Sequence, residues 1–211
     1  LQTDVEPMPF ATVEKTLEAA YGHSWRETFD VLEPKPLGSA SIAQVHKARI
    51  AAHPLGIAGK DGVAKPLPSD AVKPGTWVAV KVQRPEVAQD TLRDLALLRR
   101  VVALVGLTHA ESGMKLTLKD LVDELDRTTR EEINFCVELR NLERFHALLF
   151  DQPGIESPIP YPSISCDDVL VMEYVEGPLI SDKAAIQARG WNLEKLGHAI
   201  AESYVTQVVD N

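Results

Sequence analysis

A lysine on a strand and a run of small residues upstream of it are the parts of this sequence best suited to chemistry. Lys81 lies in the alternating segment WVAVKV at positions 77–82, which predicts a strand with two distinct faces. A lysine on the inner face of such a strand needs an anion or a carboxylate as its partner. The run from Gly38 to Ser41 carries small side chains, which let backbone N–H groups approach phosphate oxygens closely. Together the two features favour a nucleotide site.

Each feature also has an ordinary structural explanation. The Gly38 to Ser41 run alone is typical of a hairpin with a small-residue turn, because short glycine motifs are common. A lysine on a strand often points to solvent at the edge of a sheet. The two features in combination favour the nucleotide site. Their similarity to the loop and lysine strand of protein kinases implies that Val45 faces the base and that Ala79 leaves room for it.

A lysine that binds phosphate in this way also needs a carboxylate to hold it. The sequence EEINFCVEL at positions 131–139 supplies candidates on a predicted helix. On an unbroken helix Asn134, Glu138 and Asn141 share one face, whereas Glu132 lies far around from Glu138. We therefore predict Glu138 as the partner of Lys81, with a solvated helix carboxylate as the alternative.

Hydrophobic spacing predicts the elements that position these residues. Helices are predicted over 10–20, from Pro85 to about position 105, over 117–150 as one long helix or two abutting helices, and over 193–209. Strands are predicted within 37–50, at 77–82 and at 169–172. Residues 51–75 contain four prolines and four glycines, which predicts a loop that is functional or forms a mobile surface insertion.

Composition limits the classes of function. The chain has 211 residues and a formal net charge of −9, which argues against a nucleic-acid-binding surface but not against a local anion site. Cys136 and Cys166 have no paired spacing, so neither a disulfide framework nor a zinc site is expected. No signal peptide or membrane-spanning segment is visible, and the start at Leu1 leads us to expect a fragment.

Several blocks of the sequence resemble one protein family. They are LGSASIAQVHKA at 37–48, VAVKVQRP at 78–85, REEINF at 130–135 with NLERF at 141–145, and VMEYVEG at 171–177. Together they resemble the UbiB-type atypical kinases, a protein-kinase-like family linked to ubiquinone and other prenylquinone metabolism. The loop keeps the spacing of the kinase glycine-rich loop, with Ala40 and Ala43 in place of its second and third glycines.

The resemblance implies an α+β fold: a protein-kinase-like N-lobe, made of a small antiparallel sheet plus helices, followed by the start of a helical C-lobe. It implies an N-lobe over 1–172, with an N-terminal helical extension and the 51–75 insertion. A hinge over 173–178 and the beginning of the C-lobe over 179–211 would follow, with the chain ending before the catalytic loop.

The resemblance also implies roles for single residues. Lys81 would be the phosphate-binding lysine and Glu138 its helix partner, which makes them the two catalytic candidates. Glu132 matches the Glu of the family's Glu-x-Asp motif, but Asn134 stands in place of the Asp and cannot supply its charge. Residues of the loop, the neighbouring strands and the hinge would bind the cofactor: Gly38, Ser39, Ala40, Ser41, Ala43, Val45, Ala79, Met172, Glu173 and Val175.

The implied cofactor is ATP or ADP, with Mg²⁺ expected in the full-length parent and no metal site within this chain. The sequence contains no His-x-Asp and no Asp-Phe-Gly, the groups that hold the metal and orient the acceptor in kinases. We therefore expect the parent to be an atypical kinase or ATPase, and this chain alone to be inactive.

The implied partners, besides the nucleotide, are a prenylquinone-type lipid or a membrane surface and proteins of quinone biosynthesis, with no nucleic acid. The implied location is the mitochondrion, the plastid or the bacterial membrane face. A non-catalytic pseudokinase-like module that binds a lipid or protein partner is the main alternative. An ordinary protein kinase fits less well, because the loop alanines and the long insertion before the lysine strand count against it.

Overall fold

The computed structural model of the protein describes residues 5–68, 70–108, 114–149 and 154–209. Over these ranges an antiparallel sheet has the order β1-β3-β4-β5, and a short strand, β2, pairs with β3. The strands are β1 Phe29–Leu32, β2 Gly38–Ser39, β3 Ala43–Ile50, β4 Trp77–Gln83 and β5 Val169–Glu173. The helices are α1 Phe10–Tyr21, α2 Pro85–Thr108, α3 Met114–Glu132, α4 Phe135–Leu149, α5 Lys183–Ala188 and α6 Leu193–Val209, with 3-10 turns at Trp25–Glu27 and Pro162–Ile164.

One face of the sheet packs against α1. Val78, Val80 and Val82 on β4 are fully buried there, in one cluster with Leu17 of α1 and Phe29 of β1. Burying a valine side chain stabilises the fold by about 1.5–3 kcal/mol, so burial of the three valines determines which face of β4 points toward α1. The predicted strand with two distinct faces is confirmed.

The other face of the sheet packs against α4. Ala43 at the start of β3, Leu170 of β5, and Phe135 and Leu139 of α4 form a second, smaller buried cluster, against which Met172 packs. Since side chains alternate along a strand, Lys81 lies on this side of β4. A small antiparallel sheet with helices on it is the predicted α+β, kinase-like N-lobe, whereas the division of the chain at 172 and 178 stays a prediction.

Residues 51–75 form a loop, as predicted, but the expectation of a mobile surface insertion is wrong for the residues that are buried. Pro54, Gly56 and Val72 are buried. The Leu55 N–H donates to the Glu27 carbonyl at 2.9 Å, and the Ala58 N–H donates to the Tyr21 carbonyl at 2.9 Å. Apolar side chains between the prolines and glycines supply the burial that holds this loop on the core.

The structure adds two elements that hydrophobic spacing does not predict, and it resolves one alternative. β1 and α5 are only four and six residues long, too short to show a clear period.

The predicted helical stretch over 117–150 is two abutting helices, α3 and α4, which break between Glu132 and Phe135. Position 150 lies outside the described residues. None of the described helices is long and apolar enough to cross a membrane.

A buried polar chain joins β3 to the segment before α1. The Gln44 side-chain amide donates to His46 Nε2 at 2.7 Å, and Nδ1–H of His46 donates to the Glu33 carbonyl at 2.8 Å. The Met8 N–H donates to Oε1 of Gln44 at 2.7 Å. Burial lowers the pKa of His46, because desolvation disfavours the imidazolium form. This hydrogen-bonded arrangement therefore requires a neutral His46, whose Nε2 is free to accept from Gln44.

We expect the protein to lose stability as the pH falls below 6.5, the ordinary pKa of histidine. The unfolded chain takes up a proton at His46 near that pH, whereas the folded chain takes it up only at a lower pH. The unfolded state thus binds more protons in this window, and the free energy of unfolding falls by up to about 1.4 kcal/mol per pH unit.

Urea denaturation from about pH 7.5 to about pH 5, a range that brackets the ordinary histidine pKa, measures this loss. His46→Gln is expected to flatten the acid limb, and His198→Gln on the exposed side of α6 is the matched control. An identical pH profile in the wild type and His46→Gln would contradict the prediction.

Candidate functional site

Lys81 and Glu138 form a bidentate ion pair on the α4 side of the sheet. Lys81 Nζ lies 2.8 Å from Oε1 and 2.6 Å from Oε2 of Glu138, and 4.7 Å from the centre of the Phe135 ring. The Lys81 side chain is 13% exposed and that of Glu138 is 44% exposed. A pair this open to solvent contributes on the order of 1 kcal/mol or less to stability, so its main consequence is the orientation of Lys81.

The pairing of strands assembles a set of small and apolar side chains beside Lys81. Val45 on β3 and Leu170 on β5 stand directly opposite Lys81 in register, and Met172 stands opposite Ala79. Directly opposed residues on one face have Cβ atoms about 4.5–5.5 Å apart. Val45, Ala79 and Met172, predicted to surround the base of a nucleotide, therefore share the lysine's face of the sheet.

The small-residue loop is a tight hairpin, which we call the 38–45 hairpin. Gly38 and Ser39 pair with Val45 and Gln44, and the Ala40 N–H donates to the Ala43 carbonyl at 2.8 Å. Ser41 and Ile42 are left as the two residues of the turn. Ser41 is exposed, whereas Ala43 is 2% exposed and packs with the α4 cluster.

The predicted hinge begins at the end of β5. Glu173 is tied to Ile159, since its N–H donates to the Ile159 carbonyl at 2.8 Å and its Oε2 accepts from the Ile159 N–H at 3.2 Å. The Tyr174 N–H donates to the Trp77 carbonyl at 3.3 Å. Val175 is 63% exposed, and its N–H donates to no other residue in the described part of the chain. It is an open donor three residues beyond Met172 along the chain.

Asn134 has a different place from the one that an unbroken helix predicts. Its Oδ1 accepts a hydrogen bond from the Cys136 N–H at 2.9 Å, which makes Asn134 the N-terminal cap of α4. Glu132 is the exposed last residue of α3. The prediction that Asn134 shares a helix face with Glu138 is therefore wrong, because asparagine bonds to the backbone at a helix start in preference to continuing a helix.

Sequence reasoning also missed the groups that hold the start of α4 against the sheet. The Gln83 side-chain amide donates to the Ile133 carbonyl, and the Phe135 N–H donates to the Asp167 carbonyl at 3.0 Å. Gln83 lies two positions after Lys81 and is only 4% exposed. A polar residue on the lysine's face of a buried strand is the signal that points to it.

The cysteine at the start of α4 is not a reactive group. Burial, together with the Asp167 carboxylate beside the thiol, raises the pKa of Cys136 to about 11. The thiol is protonated at neutral pH and is a poor nucleophile. Among the residues that the structure describes, no three His, Cys, Asp or Glu side chains lie together as a metal site would require.

Residues 1–56 and 70–211 match the ABC1 atypical kinase-like domain. The chain belongs to this family. The match confirms the resemblance to the UbiB-type atypical kinases and agrees with the kinase-like sheet. The unmatched residues 57–69 lie inside the 51–75 loop, so the insertion relative to the family is shorter than predicted.

Two relatives show how much of an ABC1 protein this chain spans. It is 27% identical over 208 residues to a protein of Clostridium pasteurianum described as an uncharacterized protein in the hydrogenase 1 5' region, a match that covers 99% of this chain and 35% of that one. It is 29% identical to Rv3197 of Mycobacterium tuberculosis, whose structure was solved with erythromycin, with a TM-score of 0.61 over 83% of this chain and 38% of that one. The chain spans slightly over a third of these proteins.

We expect Asn134→Ala to lower the free energy of unfolding by about 1 kcal/mol, because the first turn of α4 loses its cap. Asn134→Asp restores the family's Glu-x-Asp pattern and also caps a helix, so it is expected to keep the stability. Urea denaturation compares both with Asn141→Ala, an exposed position within α4. Equal losses for Asn134→Ala and Asn134→Asp would contradict the capping role.

Proposed function

We propose that this ABC1 kinase-like domain binds ATP or ADP on the face of the sheet that carries Lys81. The observation that carries the proposal is the bidentate Lys81–Glu138 pair. Glu138 accepts through both oxygens, at 2.8 and 2.6 Å, and the Lys81 side chain is only 13% exposed. A lysine held in this way is fixed in direction and still carries a charge that phosphate oxygens can share.

The surroundings of Lys81 fit the two ends of a nucleotide. Val45, Ala79 and Met172 offer a narrow apolar surface for a base, and the open N–H of Val175 is a donor for its edge. At the other end, the 38–45 hairpin presents Ser41, an exposed residue of its turn. These are the residues that would hold the nucleotide.

In the longer protein, the nucleotide would supply a phosphoryl group, and this domain would bind and orient it. Lys81 would hold phosphate oxygens, and Glu138 would keep Lys81 aimed at them. We extend the proposal to an atypical kinase or ATPase that uses Mg²⁺ and supports prenylquinone-type lipid metabolism. The family resemblance supports this extension, and the described residues themselves offer no cluster of three metal ligands.

We expect Lys81→Ala to weaken ATP binding by a factor of about 10 to 100. A charge-assisted hydrogen bond contributes about 1.5–3 kcal/mol, and about 1.4 kcal/mol corresponds to a tenfold change in affinity. Isothermal titration calorimetry with ATP and ADP measures the loss, and Lys73→Ala in the exposed part of the 51–75 loop is the matched control. Equal affinity in Lys81→Ala and the wild type would overturn the site.

A second candidate function is a non-catalytic module that binds a lipid or a protein. The observation that favours it is a pair of exposed apolar stripes at helical spacing, one on α2 and one on α3. Their residues are 41–65% exposed: Leu97, Val101 and Leu104 on α2, and Leu118, Leu121 and Leu125 on α3. Ion pairs from Arg99 to Asp123 and Asp126 hold the two helices together.

For this candidate we expect Leu104→Glu and Leu121→Glu to reduce binding to vesicles and to leave ATP binding unchanged. Neutral phosphatidylcholine vesicles suit the test, because the chain's net charge of −9 disfavours anionic lipid. Cosedimentation measures binding, with Val63→Glu in the exposed loop as the control. No binding of the wild type to these vesicles would exclude lipid as the partner.

A further inference from the structure

Arg84, the first residue after β4, contacts three residues of the 38–45 hairpin. Its Nε donates to the Ala40 carbonyl at 3.0 Å, and its Nη2 donates to the Ser39 hydroxyl oxygen at 2.7 Å. Its backbone N–H donates to the carbonyl of Ile42, in the turn, at 2.9 Å. One residue thus bonds to three of the four positions from Ser39 to Ile42.

The same guanidinium ties the hairpin to the segment before α1. Nη2 of Arg84 also donates to the Glu6 carbonyl at 2.8 Å. Two residues later, the Met8 N–H donates to Gln44 of the hairpin's second strand at 2.7 Å. The backbone of residues 6–8 therefore bridges Arg84 and the hairpin, and the position of one depends on the other.

The chemistry of these contacts explains why an arginine stands here. Its side-chain acceptors are two backbone carbonyls and one hydroxyl, all neutral, and Arg84 forms no ion pair within the described part of the chain. A planar guanidinium presents donors in several fixed directions, whereas a lysine ammonium is a single point at the end of a flexible stem. The contacts therefore fix geometry and do not neutralise a charge.

We propose that Arg84 is the positioning residue of the nucleotide loop: it sets the place of the 38–45 hairpin relative to Lys81, and it couples the hairpin to residues 6–8. The proposal rests on the proposed nucleotide-binding function for its consequence, and on the contacts of Arg84 for its mechanism. It also assigns to Arg84 the hydroxyl oxygen of Ser39, one of the predicted cofactor-binding residues.

The test uses the 211-residue chain with Arg84→Ala, Arg84→Lys and Ser39→Ala, and with Arg93→Ala on the exposed surface of α2 as the control. Hydrogen–deuterium exchange followed by mass spectrometry reports on the amides of residues 37–45, of which Leu37 and Ala40 donate within the hairpin. Isothermal titration calorimetry gives the affinities for ATP and for adenosine, which lacks the phosphates.

We expect the hairpin amides to exchange at least about tenfold faster in Arg84→Ala and Arg84→Lys, and ATP to bind about tenfold more weakly, a loss equivalent to one hydrogen bond. Adenosine affinity and the exchange of β5 are expected to stay at the wild-type level, which a general loss of folding would not allow. Ser39→Ala combined with Arg84→Ala is expected to add little to Arg84→Ala alone, since both remove the same contact.

Unchanged hairpin exchange in Arg84→Ala would overturn the positioning role. Wild-type hairpin exchange and ATP affinity in Arg84→Lys would also overturn it, because a positive charge alone would then suffice. An equal loss of ATP and adenosine affinity in Arg84→Ala would overturn it as well. Failure of the unmodified chain to bind ATP would instead refute the proposed function. If Arg84→Ala does not fold, Ser39→Ala decides, because removal of that single acceptor must still speed exchange at Ala40.

Discussion

The two-sided burial of β4 is the constraint on which the rest of the structure depends. Three valines of this strand must be buried against α1, and the alternation of side chains then leaves Ala79, Lys81 and Gln83 on the opposite face. The lysine has no other direction available without exposing the valine core. The base-sized surface, the ion pair and the anchor of α4 all follow from that one orientation.

Much of the candidate site could be predicted from the sequence because its signals are local. The period of β4 is read directly from the chain and gives the face of Lys81, and the carboxylates of the predicted helix over 131–139 include its partner, Glu138. The place of Asn134 could not be read in the same way. Whether an asparagine caps a helix or lies within it depends on where the helix breaks, and here contacts from Gln83 and Asp167 set the break.

The fold shows the same division between local and distant information. Prolines and glycines in residues 51–75 predict irregular backbone, but they carry no information about which intervening side chains are buried against α1 and β1. β1 exists because β3 offers it a partner, with Leu32 opposite Ala48, and a segment of four residues has no period of its own. The contacts of Arg84 are likewise made with residues more than forty positions away.

The anchoring of α4 at its first turn gives the helix a fixed pivot. Glu138 lies three residues beyond Phe135, about 4.5 Å along the helix axis, whereas Leu149 lies about 21 Å from the same point. A rotation of the helix by roughly 10° about this pivot would move Glu138 by under about 1 Å and Leu149 by almost 4 Å, from the same rise per residue. Because Glu138 lies so close to the pivot, the C-terminal end of α4 can shift with the residues packed against it while the Glu138 carboxylate stays within hydrogen-bonding distance of Lys81.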